Sequence, residues 1–165
     1  MCLISKSKRK INLKEIIGKS ANLFLDGIYL NFYLSPKDKH YWRIPYNCKL
    51  ISTKRTNGKA KIPIFIGLEK LFPKIDFFEK AIKNNASIGS VFQTRYFPYA
   101  MIAIGSLNVN GITIIKKEKY FKGDIGGYFN IGSSMLLCFP KKFPNPKIKI
   151  GTKLDIGQNL INIKI

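Results

Sequence analysis

The sequence predicts a mainly β, α+β fold, a sandwich or partly open barrel of short antiparallel strands with two short helices. Three observations lead there. The apolar stretches are short and rich in Ile, Phe and Tyr, side chains that suit a pleated surface. Turn signals separate them, among them Asp26-Gly27 and Thr56-Asn57-Gly58. Helical periodicity is confined to two places. With 165 residues, 45% of them hydrophobic, the chain has enough apolar material for one cored domain spanning 1–165.

Taken in order, Ile11 to Gly18 reads as a short helix, because Leu13, Ile16 and Ile17 share a face and Gly18 stops it. Leu23 to Leu34 alternates loosely and carries Phe24, Tyr29, Phe32 and Tyr33, which is strand composition with Asp26-Gly27 as a hairpin signal. Leu34 to Pro45 is fixed by Pro36 and Pro45 and reads as an ordered loop or edge strand. Lys49 to Thr53 and Ala60 to Ile66 read as strands around the Thr56-Asn57-Gly58 turn. Leu68 to Asn84 is the longer helix, interrupted by Pro73, with Asp76 to Lys83 its firmer half. Ile88 to Thr94, Tyr99 to Gly105 and Val109 to Ile115 read as three strands of a meander, and Ser134 to Phe139 as a buried strand. Lys141 to Pro146 is a loop, and Ile148 to Ile163 closes the chain as two short strands about a glycine turn.

The net charge is +20, from 29 Lys and Arg against nine Asp and Glu. Such a balance points to an anionic partner, either nucleic acid or an acidic membrane surface. Each cation held near anionic lipid contributes about 1 kcal/mol. The lysines accompany abundant Ile and Asn along the whole chain, however, which also reads as a compositional habit. Only Arg9, Arg43, Arg55 and Arg95 offer the guanidinium that usually reads guanine. The sequence has no uncharged apolar run of the roughly 18 residues needed for a membrane-spanning helix. Met1 to Lys10 is basic without a following apolar stretch of signal-peptide type. Cys2, Cys48 and Cys138 have no metal-ligand spacing and read as reduced, structural thiols of an intracellular protein, with no metal expected.

Chemistry concentrates in Phe121 to Phe139, where a glycine-rich approach enters Gly132-Ser133-Ser134. Gly132 leaves its carbonyl carbon open, and Ser133 places a hydroxyl one residue later, a pair suited to an N-to-O acyl shift. Alone, Gly-Ser-Ser reads equally as a turn before a strand. His40 is the only histidine. Beside Tyr41 and Trp42 it reads, alone, as a loop residue filling an aromatic corner.

Leu34-Ser-Pro-Lys-Asp-Lys-His40 resembles the L-S-P-[KR]-D-Y-H motif of the phosphatidylserine decarboxylase family. Lys122, Gly123, Asp124, Gly127, Tyr128, Phe129, Gly132 and Ser133 resemble its K-G-E-x-x-G-Y-F-x-x-G-S-T processing motif. Between them, Ile104 to Ile112 looks like the family's V-G-A-x-x-V-G-x-I strand pair, and Ile150 to Gly157 like its closing hairpin. The resemblance covers the chain from about residue 11, with the motifs in the family's order.

The resemblance implies that Ser133 attacks Gly132, that the ester eliminates, and that the chain splits into 1–132 (the β chain) and 133–165 (the α chain). Ser133 would become a covalent pyruvoyl group, the only cofactor implied. That group would form a Schiff base with phosphatidylserine, act as the electron sink for loss of carbon dioxide, and yield phosphatidylethanolamine. His40 matches the family histidine of the decarboxylation half. Tyr128, Phe129 and Asp38 are candidates for the substrate pocket. The implied partners are phosphatidylserine and an anionic membrane surface, bound peripherally on the cytoplasmic side, with the two cleaved chains associated and room for a homodimer of that pair.

The chain departs from the family at several positions. Arg43 stands where the family has a second histidine, part of a serine-histidine-aspartate relay for self-cleavage. The relay aspartate belongs to a P-A-D-G segment upstream of the first helix, and Met1 to Lys10 carries no match. Lys39 replaces a tyrosine and Cys48 a glycine. Asp26 and Asp38 are the aspartates that could substitute in the relay. Two other readings follow: a decarboxylase-like module that binds lipid or a partner without self-processing, and a basic β-barrel that stacks RNA bases on Tyr41, Trp42 and Tyr46. The sequence contains no ordered RNA-binding motif, so nucleic acid is not the expected partner.

Overall fold

The computed structural model describes residues 2–5, 11–35, 37–58, 62–64, 77–106, 111–130, 133–144, 146, 148–149 and 151–159. Two open antiparallel sheets form the body, as the composition predicts, and neither closes into a barrel. The strands are β1 (Cys2–Ser5), β2 (Ile28–Leu34), β3 (Tyr41–Arg43), β4 (Cys48–Thr56), β5 (Ser87–Gln93), β6 (Pro98–Gly105), β7 (Ile112–Ile114), β8 (Lys119–Tyr120), β9 (Ile125–Phe129), β10 (Ser133–Phe139) and β11 (Lys153–Leu154). The larger sheet has the order β11-β1-β2-β10-β6-β5-β4-β8, and the smaller the order β3-β9-β7. Two short α-helices, α1 (Lys14–Ile17) and α2 (Phe77–Asn84), complete the set with a 3-10 helix over Gly18–Phe24.

The centre of the larger sheet is buried on both faces, so its strands read as nearly continuous apolar runs. Every residue of Tyr99–Gly105 is buried. One face carries Met101, Met135, Leu137 and Phe139 and packs against Ile44, Ile112 and Phe129 of the smaller-sheet side. The other carries Val91, Ile102, Ile104 and Leu136 and is covered by Ile16 and Ile17 of α1, Phe24 of the 3-10 helix, and Phe78 and Ile82 of α2. Each fully buried aliphatic side chain contributes about 1.5–3 kcal/mol, so this double-sided core fixes β10 and β6 most firmly.

Several expectations need correction. Leu23 to Leu34 is not one strand with a hairpin at Asp26-Gly27. The helical path continues past Gly18 as a 3-10 helix that buries Phe24. The N–H of Gly27 then donates to the Phe24 carbonyl at 3.0 Å, and Asp26 adopts a positive φ of 53° before β2 begins at Ile28. Ile62 to Ile64, within the expected strand Ala60 to Ile66, is not strand. Its backbone is taken by Asn85 instead: the Ile62 N–H donates to Asn85 Oδ1 at 2.7 Å, and Asn85 Nδ2 donates to the carbonyls of Ile62 and Gly105, each at 2.7 Å. Residues 59–61 and 65–76 lie outside the described residues, so the expected helix is seen only over Phe77–Asn84. The meander is a hairpin of β5 and β6 only, because β7 leaves to pair with β9 in the smaller sheet. The closing hairpin is absent among the described residues, where Lys153 and Leu154 pair with β1.

Asn85 holds the end of β6 to the Ile62 segment from a site that is 2% exposed. Asn85→Ala strands two carbonyls and one N–H in that buried site and is expected to lower unfolding stability by about 1–3 kcal/mol. A urea midpoint equal to that of the parent would show that the clamp contributes nothing.

Candidate active site

The two sheets are joined by three neighbouring crossings in matching order. In the larger sheet β10 lies between β2 and β6, and in the smaller β9 lies between β3 and β7. The chain passes from β2 to β3 through residues 35–40, from β6 to β7 through 106–111, and from β9 to β10 through 130–132. Gly132 falls outside the described residues, and Ser133 is the first residue of β10. The middle crossing therefore contains the Gly132-Ser133 bond.

Backbone pairing pins both ends of these crossings. Ser133 stands opposite Leu34 of β2 and Gly105 of β6. At the smaller sheet, the Phe129 N–H donates to the His40 carbonyl at 2.7 Å, and the Asn130 N–H donates to the Gly111 carbonyl at 3.1 Å. The loop from Leu34 to His40 starts beside Ser133 and ends beside Phe129, so it runs alongside the middle crossing. Both ring nitrogens of His40 are buried and have no hydrogen-bond partner among the described residues. A buried imidazole in that state has donor and acceptor capacity free for a reacting group.

The aspartates are placed differently. Asp38 Oδ2 accepts from the Ser35 N–H at 2.8 Å, which folds the loop back on itself. Partial burial works against the charge of Asp38, but hydrogen bonds led by those from Ser35 outweigh it and hold the carboxyl below its usual value. A carboxylate stabilised in this way is a weak base. Asp26 precedes β2 at the end where Ile28 pairs with Phe139, the opposite end from Ser133. Six residues of strand, about 20 Å, separate it from the crossing. Arg43 donates through Nη1 to the Gly123 carbonyl at 2.7 Å and lies over the Tyr41 ring at 5.3 Å. Its guanidinium stays protonated and cannot serve as a base.

The glycine-rich approach to the crossing serves packing. Trp42 stands opposite Gly127, and the register shifts before Arg43, which stands opposite Ile125, so Gly126 is the extra residue of a bulge. A Cβ at Gly127 would come within 2.2 Å of the Thr113 carbonyl oxygen and 2.3 Å of Trp42 Cζ2. Trp42 packs in turn on Phe129, with ring centroids 4.9 Å apart. Phe129 is thus a core residue, while Tyr128 is exposed. The rings proposed for base stacking are likewise engaged, since Tyr46 packs edge-on against Phe97 and Tyr99.

Between the sheets lies a cavity of about 320 Å³ that the sequence did not reveal. Its walls include Phe32 and Leu34 of β2, Met101 of β6, and Met135, Leu137 and Phe139 of β10. Its rim includes Lys39, Arg43 and Lys122. Strand alternation puts position 133 on the same face of β10 as Met135 and Leu137, and His40 is not among the cavity walls. Tyr128, Phe129 and Asp38 are not among its walls. The apolar run of β10 carried the signal, but such a run does not show that one face borders empty space. Cys48 and Cys138 are free and buried. Cys48 Sγ lies 3.1 Å from the Tyr99 hydroxyl, and burial pushes the Cys138 thiol up to about 12. Among the described residues, no three His, Cys, Asp or Glu side chains gather where they could hold a metal ion.

Comparison with known proteins gives this geometry its family. The phosphatidylserine decarboxylase family model matches residues 2–162. The chain belongs to the phosphatidylserine decarboxylase family. It is similar to the phosphatidylserine decarboxylase proenzyme of Halalkalibacterium halodurans, at 31% identity over 133 residues, covering 78% of this chain and 48% of the relative. The proenzyme of Psychrobacter arcticus is 24% identical over 192 residues, covering 99% of this chain and 64% of the relative. That of Legionella pneumophila (strain Lens) is 24% identical over 182 residues, covering 94% and 62%. The chain therefore spans about half to two thirds of the length of these relatives. No solved structure matches it.

Two outcomes follow from the geometry. Gly127→Ala overpacks the contact of β9 with Trp42 and is expected to lower stability by about 1–3 kcal/mol, read from urea unfolding. The folded pKa of Asp38 lies below its unfolded value, so its contribution is present above about pH 3.9 and is lost as the pH falls through the folded pKa. The stability gap between the parent and Asp38→Asn should therefore narrow as the pH is lowered below about 4. A gap that widened on acidification would contradict the assigned hydrogen bonding.

Proposed function

We propose that the chain is a self-processing, pyruvoyl-dependent phosphatidylserine decarboxylase that works peripherally at a membrane surface, on its cytoplasmic side. The observation that carries this reading is the register of the middle crossing. Position 133 opens the central strand directly beside the loop that ends in His40. Family membership and the apolar cavity with its cationic rim support it. Among the described residues no helix is long and apolar enough to cross a membrane.

In processing, the Ser133 hydroxyl oxygen bonds to the Gly132 carbonyl carbon, the amide nitrogen leaves, and the peptide becomes an ester. Loss of the Cα proton of residue 133 then breaks the Cβ–O bond and frees Gly132 as a carboxylate. The enamine left at position 133 becomes an imine, and water converts it to a ketone with release of ammonia. The buried, unpartnered His40 nitrogens fit such a group at the head of β10. The pyruvoyl group supplies an electrophilic carbonyl and an electron sink for departure of carbon dioxide. His40 holds the proton that the substrate carbon takes up. The cavity receives apolar chain, and Lys39, Arg43 and Lys122 face the phosphodiester. Fragments 1–132 and 133–165 stay associated, because β10 keeps its pairing with both β2 and β6.

One observation favours a second reading, a lipid-binding member that does not process itself. Arg43 occupies the relay position and is tied to the Gly123 carbonyl, so it supplies no base to Ser133. Intact mass separates the two readings. Two fragments divided at 132/133, the second with a ketone in place of its amine, are expected, and Ser133→Ala should give one whole chain. His40→Ala should divide as the parent does and lose at least about a hundredfold in phosphatidylserine decarboxylation. A parent chain that stays whole would favour the module.

A further inference from the structure

Two turns border the cavity, at 121–124 and 155–158, and they are built alike. In each, the fourth N–H donates to the first carbonyl: Asp124 to Phe121 at 3.0 Å, and Gln158 to Asp155 at 3.2 Å. In each, glycine stands third with positive φ, 93° at Gly123 and 90° at Gly157, a geometry that side chains resist. In each, a side chain of the fourth residue locks the first: Asp124 Oδ2 accepts from the Phe121 N–H, and Gln158 Oε1 accepts from the Asp155 N–H, both at 3.2 Å. Arg43 adds a further tie to Gly123.

These rigid turns present apolar side chains to solvent. Phe121 is 68% exposed and Ile156 is 45% exposed. Lys122 and Gly123 of one turn and Asp155 to Gln158 of the other line the cavity, together with Lys39 and Arg43. Lys39, Arg43 and Lys122 stand against Asp155 among the lining residues, and Asp124 of the first turn is paired with Lys117, which leaves the rim positive. Apolar tips backed by cations combine the two contributions that hold a protein on an anionic lipid surface, insertion and Coulomb attraction.

We infer that this rim is the surface that docks on a bilayer containing anionic phospholipid. Phe121 and Ile156 enter the headgroup region, Lys122, Arg43 and Lys39 face the phosphates, and the cavity mouth opens onto the lipid. The choice of lipid as occupant rests on the proposed function. A second exposed apolar group, Leu25 and Tyr96, lies at the other end of β10. Two of its cations have local partners, with Lys141 3.7 Å from Asp26 and Arg95 lying 5.6 Å over the Tyr96 ring, and Lys142 also borders it. It provides the comparison surface.

Co-sedimentation of the full chain with vesicles of phosphatidylcholine alone, or with phosphatidylglycerol added, tests the inference. The parent should bind the mixed vesicles only. The double substitution Phe121→Ser with Ile156→Ser should lower its partition at least about tenfold. Lys122→Glu should lower it about fivefold or more, while Leu25→Ser with Tyr96→Ser should bind as the parent does. Parent-like binding by the first double variant, or loss of binding by the last, overturns the docking surface. Retention on single-stranded RNA without vesicle binding overturns lipid as the occupant. Intact mass in the same preparations reads the processing independently. A divided chain that ignores vesicles sinks only the docking inference, and a whole chain that binds them sinks only the processing.

Discussion

The fold depends on a match of strand order between its two sheets. β2, β10 and β6 are neighbours in one sheet, and β3, β9 and β7 are their continuations, in the same order, in the other. Each pairing restricts the next. Ser133 is fixed opposite Leu34 at one sheet, and Phe129 is bonded to His40 at the other. A slip of one residue in β10 would turn Met135 and Leu137 away from the cavity and expose the opposite face's Leu136 to it. The double-sided core forbids that slip, so packing far from the crossing sets the position of Ser133.

Within this frame the processing motif separates into parts with different duties. Lys122-Gly123-Asp124 is a turn: Asp124 accepts from the Phe121 N–H and pairs with Lys117 at 3.0 Å. Gly126 and Gly127 make room for Trp42. Phe129 packs on the same indole. These residues bring the chain to the middle crossing at a fixed height and direction. The proposed bond chemistry falls to the last positions of the motif and to the neighbouring histidine loop.

Much of this was legible in the sequence, for identifiable reasons. β10 and the β5–β6 hairpin declared themselves through apolar runs bounded by turn residues. The two prolines about Leu34 to Pro45 left an ordered loop or edge strand, and both are found, a loop to His40 and then β3 at the edge of the smaller sheet. The 3-10 helix over Gly18–Phe24 was hidden because Leu23 and Phe24 belong equally to strand composition, and tertiary burial of Phe24 decided between them. β7 was assigned to the wrong sheet because alternation gives a strand's faces but not its neighbours. The cavity was hidden for a related reason, since an inward-facing Met135 looks the same in sequence whether it meets a side chain or a void. Placement of the aspartates could be judged only in space, where Asp26 falls at the far end of β10 and Asp38 caps its own loop.

The position of the reactive bond also bears on what a cut there would do. An edge strand released at its start would rely on one ladder and one packed face. β10 has a ladder on each side, to β2 and to β6, and its Leu136, Leu137, Cys138 and Phe139 are buried. Even at about 1.5–3 kcal/mol for each large apolar side chain, that burial opposes the freedom gained when the tether is lost. The new end, at position 133, would head that ladder opposite Leu34 and Gly105, with the pairs from Ser134 onward behind it. Under the proposed processing, the bond to be broken heads a strand held on both sides, so a break there would leave the pairing and packing of the rest of β10 in place.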